Sequence, residues 1–360
     1  MTDTTIDDAT GSESEPNMKE VWDSVVPRRE AEPTADRVKA SRPGGLGIAP
    51  EWLPYDLVDR PEPPPIPNGW YALASSSDIP AGESLTVIAL ARELVLFRGR
   101  DGQVHIVDAF CPHMGAHLGG GEVLGDTLAC PYHGWRFAGD GNCVEIPYSD
   151  ARIPSRACVR SWEVREHAGM ILCWYHAGGE APGYEVPALS EVDDPAFTDA
   201  YLYRTELVAS LQDMAENNVD YTHFHFVHGR EALNDSTSKF TTEGPFSTVV
   251  ETFEAEDLTF TRYTYGPGIA LLRVPGLMTI FTATTAIDRR HVRLLWHFYL
   301  PTELAPLSQE IIDGVTGPHG LNADVPIWRD KVFRDKPLLV KGDGPITEFR
   351  RWYGQFYEGN

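Results

Sequence analysis

Positive charge is what this chain most plainly lacks. Thirty Lys and Arg stand against 53 Asp and Glu, a formal net charge of −23. Such a surface would repel phosphates and anionic headgroups, which excludes broad binding to nucleic acid or to acidic membranes. Cysteine is scarce too. Five in 360 residues, unevenly spaced, cannot form a disulfide scaffold, and Cys143, Cys158 and Cys173 read as thiols of a reducing cytosol. No long charge-free apolar run is present, and the N-terminus has no basic start leading into an apolar core. The expectation is therefore no membrane span, no signal peptide and a cytoplasmic location. No internal repeat is visible.

What is present is enough apolar sequence, 42% of 360 residues, for two cores in a chain longer than one core usually serves. Residues 1–65 are acidic and then Pro-rich, a tail and an extended arm that Trp52, Leu53 and Tyr55 could anchor. Short β-rich runs at 70–73, 85–91, 94–98, 104–108, 144–146, 159–165 and 170–174 predict a small antiparallel domain over 66–177. After a Gly- and Pro-rich connector, strands are expected at 201–208, 246–253, 257–265, 277–286 and 292–300. Helices are expected at 211–225, 308–312, 324–335 and 347–357. The second domain, 178–360, thus reads as α+β, a curved antiparallel sheet with helices on one side that can enclose a pocket.

The stretch from Cys111 to His133 carries the first chemistry. It reads Cys-Pro-His, a Gly-rich connector, then Cys-Pro-Tyr-His-Gly-Trp. Two thiolates and two imidazoles on tight turns can bind one zinc ion or a two-iron cluster. The spacing departs from the usual zinc pattern of Cys-x-x-Cys and His-x-x-x-His. It resembles the Rieske [2Fe-2S] motif, Cys-x-His followed by Cys-x-x-His. That resemblance implies Cys111 and Cys130 on one iron and His113 and His133 on the other, a cluster of raised potential. Gly115, Gly119, Gly120 and Gly121 let the chain bend closely around sulfide, and Trp135 reads as packing that shields the group. His117 is left without a role.

The segment from Asn217 to His228 is unusually polar for a core element and holds three histidines. A helix with a satisfied polar face would explain it. So would part of a facial triad, in which two histidines and a distant carboxylate hold Fe(II) and leave positions open. The segment resembles the mononuclear-iron motif of the Rieske non-haem iron oxygenases, Asn-x-x-Asp-x-x-His-x-x-x-x-His, through Asn217, Asp220, His223 and His228. Five residues turn an ideal helix through about 140°, so a helix end or distortion is expected between the two ligand histidines. The third ligand implied is Asp324, four residues before Trp328, although an aspartate there also reads as a helix N-cap. Asp313 and Asp330 are weaker candidates. In that family the counterpart of Asp220 bridges a cluster histidine of one subunit and an iron-ligand histidine of the next. The resemblance therefore implies a head-to-tail homotrimer.

Both motifs occur in order, and the resemblance runs from about 66 to 357. Met114, and the tail 343–357 with its Phe-Arg-Arg-Trp-Tyr-Gly-Gln-Phe-Tyr ending, are similar to the 3-ketosteroid 9α-hydroxylase and cholesterol 7-desaturase group. This implies an all-β Rieske domain followed by a helix-grip (START-like) catalytic domain. It further implies a [2Fe-2S] cluster, Fe(2+), and NAD(P)H used through a ferredoxin or flavin reductase. Dioxygen would be used to hydroxylate a hydrophobic, steroid-like substrate. Sterol-type desaturation, arylamine N-oxygenation, aromatic ring dihydroxylation and a plain Rieske electron carrier are the alternatives. Phe224, Phe226, Leu277, Met278, Phe281, Trp296 and Phe298 are the candidate pocket lining, with alternation along each strand expected to turn about half of the strand residues elsewhere.

Overall fold

The computed structural model of the protein describes residues 60–229, 236–253 and 258–357. Of the acidic tail and arm, only 60–65 fall within these, and the proposed anchors Trp52, Leu53 and Tyr55 lie outside. Residues 60–68 run without helix or strand, as the prolines dictate. They lie on the second half of the chain, where Arg290 Nη2 meets Glu62 at 2.6 Å and Asn68 N donates to Phe356 O at 2.7 Å.

The first half is built from strands β1 (Gly69–Ser75), β2 (Ser84–Ala89), β3 (Arg92–Arg98), β4 (Val104–Asp108), β5 (Glu122–Leu124), β6 (Thr127–Ala129), β7 (Arg136–Phe137), β8 (Cys143–Glu145), β9 (Ser161–Trp162), β10 (Val164–His167) and β11 (Met170–Tyr175). They form three sheets, in the orders β1-β11-β10, β2-β3-β4-β9 and β5-β6-β7-β8. The expected strand 159–165 is in fact two short strands in different sheets, and β5 to β7, too short to show a period, were not anticipated.

In the second half, β12 (Tyr201–Val208) leads to helices α1 (Leu211–Glu216) and α2 (Thr222–Phe226). Strands β13 (Ser236–Glu243), β14 (Phe246–Phe253), β15 (Leu258–Tyr265), β16 (Ile269–Val274), β17 (Met278–Ala286) and β18 (His291–Tyr299) follow. Helices α3 (Ser308–Thr316), α4 (Leu321–Asp330) and α5 (Ile346–Tyr353) close the chain, with a 3-10 turn over Gly354–Tyr357. The seven strands pair antiparallel in the order β12-β18-β17-β16-β15-β14-β13, so the architecture is the α+β one expected. Strand β16 falls outside the expected strand ranges.

This sheet is covered on both faces, which explains why β17 is nearly continuously buried rather than alternating. One face sends Phe281, Ala283, Leu295 and Tyr299 against Trp70, Ala72, Met170 and Leu172 of the first half. Each large side chain so buried contributes roughly 1.5–3 kcal/mol. Hydrogen bonds from Thr285 Oγ1 to Ala72 O (2.6 Å) and from Leu90 N to Ala286 O (2.7 Å) fix the two halves in register. On the other face Val292 and Leu294 meet Leu211, Leu321 and Trp328 of α1 and α4. Phe298 packs toward Leu304 and Ile311.

The expected helix over 211–225 is broken. The amides of Asn217, Asn218 and Val219 bond three residues back, to Met214, Ala215 and Glu216, which tightens the end of α1 into a 3-10 turn. Asp220 Oδ1 then accepts from His223 N (3.2 Å) and starts α2 afresh. The last helices also shift, α3 running on to Thr316 and α4 starting at Leu321 and stopping at Asp330.

The connector is pinned to the sheet by Glu191, whose side chain is 5% exposed. Its carboxylate accepts from Arg273 Nε (2.7 Å) and Nη2 (2.9 Å), Thr279 Oγ1 (2.9 Å) and Ser190 Oγ (2.9 Å). Burial alone would raise this carboxyl, but the bonds from Arg273, Thr279 and Ser190 together outweigh it and hold it at about 2. A carboxyl lowered in the folded state stabilises fully above its ordinary value of 4.5 and loses that contribution as pH falls towards 2. Glu191→Gln should therefore cost about 2 kcal/mol in urea unfolding at pH 7, and the gap from the parent should narrow between pH 4.5 and 2.

Candidate active site

The two cysteine loops are the same turn used twice. Cys111 N donates to Ala116 O (2.9 Å) and Gly115 N to Cys111 O (3.0 Å). Cys130 N donates to Trp135 O (2.8 Å) and Gly134 N to Cys130 O (3.0 Å). Each glycine sits four residues after its cysteine with φ of +76° and +74° respectively, a conformation that favours glycine. Between the loops, the His113 and His133 rings lie 4.7 Å apart, and Trp135 stacks on His113 at 4.5 Å. Cys111 and Cys130 are buried.

These residues suit an iron–sulfur group on two counts. His113 Nδ1 is buried and, among the described residues, has no hydrogen-bond partner, which is costly unless it ligates something. Burial and the neighbouring Cys130 thiol push the Cys111 thiol up to about 11, so its thiolate needs a metal's positive charge beside it. Among the described residues the one group of three donors within 4.8 Å of one another lies elsewhere, so the loop donors are not gathered on a single ion. His117, left open by the sequence, is structural. Its Nδ1 accepts from Gly119 N (3.1 Å), and its Nε2 lies 3.2 Å from Glu93 Oε2.

The compact group is His223, His228 and Asp324. α2 ends at Phe226, and the chain leaves helix between the two histidines, which lets side chains five residues apart face one point. His223 Nε2 is 4.0 Å from Asp324 Oδ1, and His228 Nε2 is 3.3 Å from Asp324 Oδ2. Behind them, His223 Nδ1 bonds Asp220 O, and His228 Nδ1 bonds His319 O (3.0 Å). A backbone carbonyl can only accept, so each Nδ1 carries the proton and each Nε2 presents its lone pair to the centre. Burial lowers the His223 imidazole below its ordinary range, against the opposing pull of Asp324 and Asp220. The neutral ring is the ligand form. Two imidazoles and one carboxylate on one side of a point fit a facial iron triad.

Asp324 lies in the first turn of α4, but Gly320 occupies the N-cap position, so helix capping does not account for it. Asn217 Nδ2 donates to Asp324 Oδ1 (3.4 Å), and Trp328 Nε1 donates to Asn217 Oδ1 (3.4 Å). Trp328 thus sets which way the Asn217 amide faces, and Asn217 turns Asp324 toward the histidines. Trp328 lies four residues beyond Asp324, one turn along the same helix face. That spacing was legible, whereas the His319 carbonyl carries no side-chain signal. Gly320 permits the tight turn beside it, since a Cβ there would overlap Val315 O. Asp313 and Asp330 are engaged elsewhere, with Gln309 (2.8 Å) and Arg329 (2.9 Å). Asp220 lies at the rim with its side chain 39% exposed.

A cavity of about 310 Å³ opens between the sheet and the helices, with His223, His228 and Asp324 in its wall. Of the seven expected lining residues, Phe224, Met278 and Trp296 line it. The other four do not. Phe226 is 58% exposed, Leu277 and Phe298 pack toward α3, and Phe281 faces the first half of the molecule. Strand alternation sorts β17: Met278, Ile280, Thr282 and Thr284 turn to the cavity, and Phe281 and Ala283 turn away. β15 adds Phe260, Arg262 and Thr264. Arg262 Nη1 meets Glu251 Oε2 at 2.8 Å, and neither was anticipated, because this sheet's register cannot be read from a single strand.

Residues 173–357 match the 3-ketosteroid 9α-hydroxylase C-terminal domain family, and 69–163 match the Rieske [2Fe-2S] domain family. The chain is 35% identical to cholesterol 7-desaturase of Ciona intestinalis over 83% of this chain and 70% of that one. It is 32% identical to the probable oxygenase component of a 3-ketosteroid-9-alpha-monooxygenase of Rhodococcus rhodochrous, over 81% and 79% of the two chains. In fold it is similar to dicamba monooxygenase bound to dicamba, with a TM-score of 0.69 at 18% identity, covering 80% of this chain and 96% of that one.

Replacing Asn217 by Ala should leave the fold and the visible absorption of the cluster intact while weakening mononuclear iron binding about 10–100-fold. Asp324→Asn should reduce iron further. Both are read as iron against acid-labile sulfide after dialysis at graded chelator concentrations.

Proposed function

Because this chain belongs to the Rieske non-haem iron oxygenases, in the group that holds 3-ketosteroid 9α-monooxygenases and cholesterol 7-desaturases, we propose that it is the terminal oxygenase for a steroid-like substrate. The observation that carries this reading is the single cavity wall that holds both the triad and an apolar lining. Residues 66–177 serve as the cluster domain and 178–360 as the catalytic domain. Cys111, His113, Cys130 and His133 would hold the [2Fe-2S] cluster, and His223, His228 and Asp324 the iron. When bound, these groups supply one-electron transfer and dioxygen activation for hydroxylation of an unactivated carbon.

The chain's own residues prepare that chemistry. Asp220 O and His319 O keep both imidazoles in the ligating tautomer, and Asn217 keeps Asp324 facing them. Phe224, Met278, Ile280 and Trp296 strip water from an apolar substrate and leave its skeleton against the triad. The protein thereby decides which carbon is presented, and the reactive chemistry belongs to the metal. Asp220, exposed at the rim beside His223, is the bridge to a neighbour's cluster histidine in a head-to-tail homotrimer. On this reading electrons come from NAD(P)H through a ferredoxin or flavin reductase, in the cytoplasm. Among the described residues no helix is long and apolar enough to cross a membrane.

The test is turnover of a panel of steroids, arylamines and simple aromatics with a surrogate reductase and 18O-labelled dioxygen, read by mass spectrometry. A steroid gaining one labelled oxygen is the expected product. Label appearing in arylamines or as aromatic diols, with steroids untouched, would replace this reading by one of its alternatives.

A further inference from the structure

The cavity wall is mostly apolar, with Asn218, Thr264, Thr282 and Thr284 adding neutral polar groups, and it also holds a charged side chain that the oxygenase chemistry does not use. Arg262 projects from β15 into the wall, and Glu251 lies on the neighbouring strand β14, 2% exposed. The pair is joined at 2.8 Å from Nη1 to Oε2. Among the described residues this is the guanidinium's one hydrogen bond, although the group carries five N–H donors in a planar fork. The guanidinium also lies 5.0 Å from the Phe224 ring and 5.9 Å from the Phe260 ring, so aromatic faces hold it in place. Phe224 in turn stacks near His223 at 4.3 Å. Arg262 is thus separated from the triad by one aromatic ring.

The Arg262 side chain is 15% exposed, and among the described residues its other N–H groups have no protein acceptor, which leaves them open to a group in the cavity. Its position in the cavity wall makes a ligand acceptor the natural partner. Charge decides which kind. Glu251 already neutralises Arg262, so a carboxylate or sulfate brought to the pair would leave a net negative charge in a low-dielectric wall. A carbonyl or hydroxyl oxygen accepts from the fork and adds no charge.

We infer that Arg262, held by Glu251, is a specificity-determining anchor for one neutral oxygen, a ketone or hydroxyl, on an otherwise apolar substrate. The inference deepens the proposed function, since it says which end of such a substrate is bound and that the attacked carbon lies across Phe224 from that oxygen. Thr264, two residues on along the same strand, also lines the wall.

Binding, not turnover, tests this. Quenching of intrinsic tryptophan fluorescence, to which Trp296 in the wall contributes, would be titrated with two matched pairs: 5α-androstan-3-one against 5α-androstane, and 2-tetralone against tetralin. The parent protein should prefer each ketone it binds over the matching hydrocarbon by on the order of tenfold. In a Glu251→Gln, Arg262→Met double variant, which leaves no unpaired buried charge, that preference should vanish while hydrocarbon affinity stays within about twofold. Circular dichroism and cluster absorption would verify its fold. Arg262→Lys should retain only part of the preference, because a point charge replaces the fork. A ketone preference that survives in the double variant, or that is absent from the parent with both skeletons, overturns the assignment. If only the bicyclic ketone binds and its preference depends on Arg262, the anchor stands and the steroid reading falls.

Discussion

Three donor atoms have to meet at one point although they come from parts of the chain far apart. Asn217, which orients the carboxylate, and Asp324, which bears it, are 107 residues apart in sequence. Everything between them, the whole run from β13 to α3, folds back so that α4 lies on α1 and α2. The contact is secured by small polar links, Trp328 to Asn217 and Asn217 to Asp324, and by Leu211, Leu321 and Trp328 in one core with Val292 and Leu294. Hydrophobic burial supplies the energy, and the amide supplies the angle. Without Asn217, Asp324 would lose the amide contact that holds its Oδ1.

The broken helix is the other half of that constraint. A regular helix from 211 to 228 would put His223 and His228 about 140° apart. The end of α2 at Phe226 falls between the two histidines, and the 3-10 turn before α2 breaks the helix upstream of both. These breaks also bring Asp220 to the rim, where its backbone carbonyl holds His223 and its carboxylate stays 39% exposed. One residue thereby fixes a ligand tautomer and offers a contact outward. The two-sided sheet completes the arrangement. Because one face is locked to the first half by Phe281, Ala283 and Leu295, the opposite face is a rigid wall for the cavity.

How much of this was legible in the sequence follows from the range over which each feature is determined. The repeated cysteine turns are local: a cysteine, a histidine and a glycine at fixed spacing specify them. His223 and His228 are close in sequence, but three histidines stand there and the family resemblance was needed to pick these two. Asp324 needed the family resemblance to be singled out, because an acidic residue early in a helix has an ordinary explanation in capping. The cavity lining was legible only in part. Phe281 and Phe298 are as apolar as Met278 and Trp296, and only strand register and the elements packed on each face separate them. Arg262 could not be found at all, since its meaning depends on Glu251 being its diagonal neighbour on the adjacent strand. The short strands β5 to β7 carry no period to detect.

The central claim is that the Rieske cluster and the triad work as one device through Asp220, and single turnover tests it most directly. Protein reduced chemically and freed of reductant would be mixed with substrate and labelled dioxygen, and cluster reoxidation and labelled product would be followed together. Asp220→Ala should keep its iron, its sulfide and a reducible cluster, yet form product and reoxidise its cluster on the order of 100-fold more slowly than the parent. Parent-like coupled product formation in that variant would contradict the account.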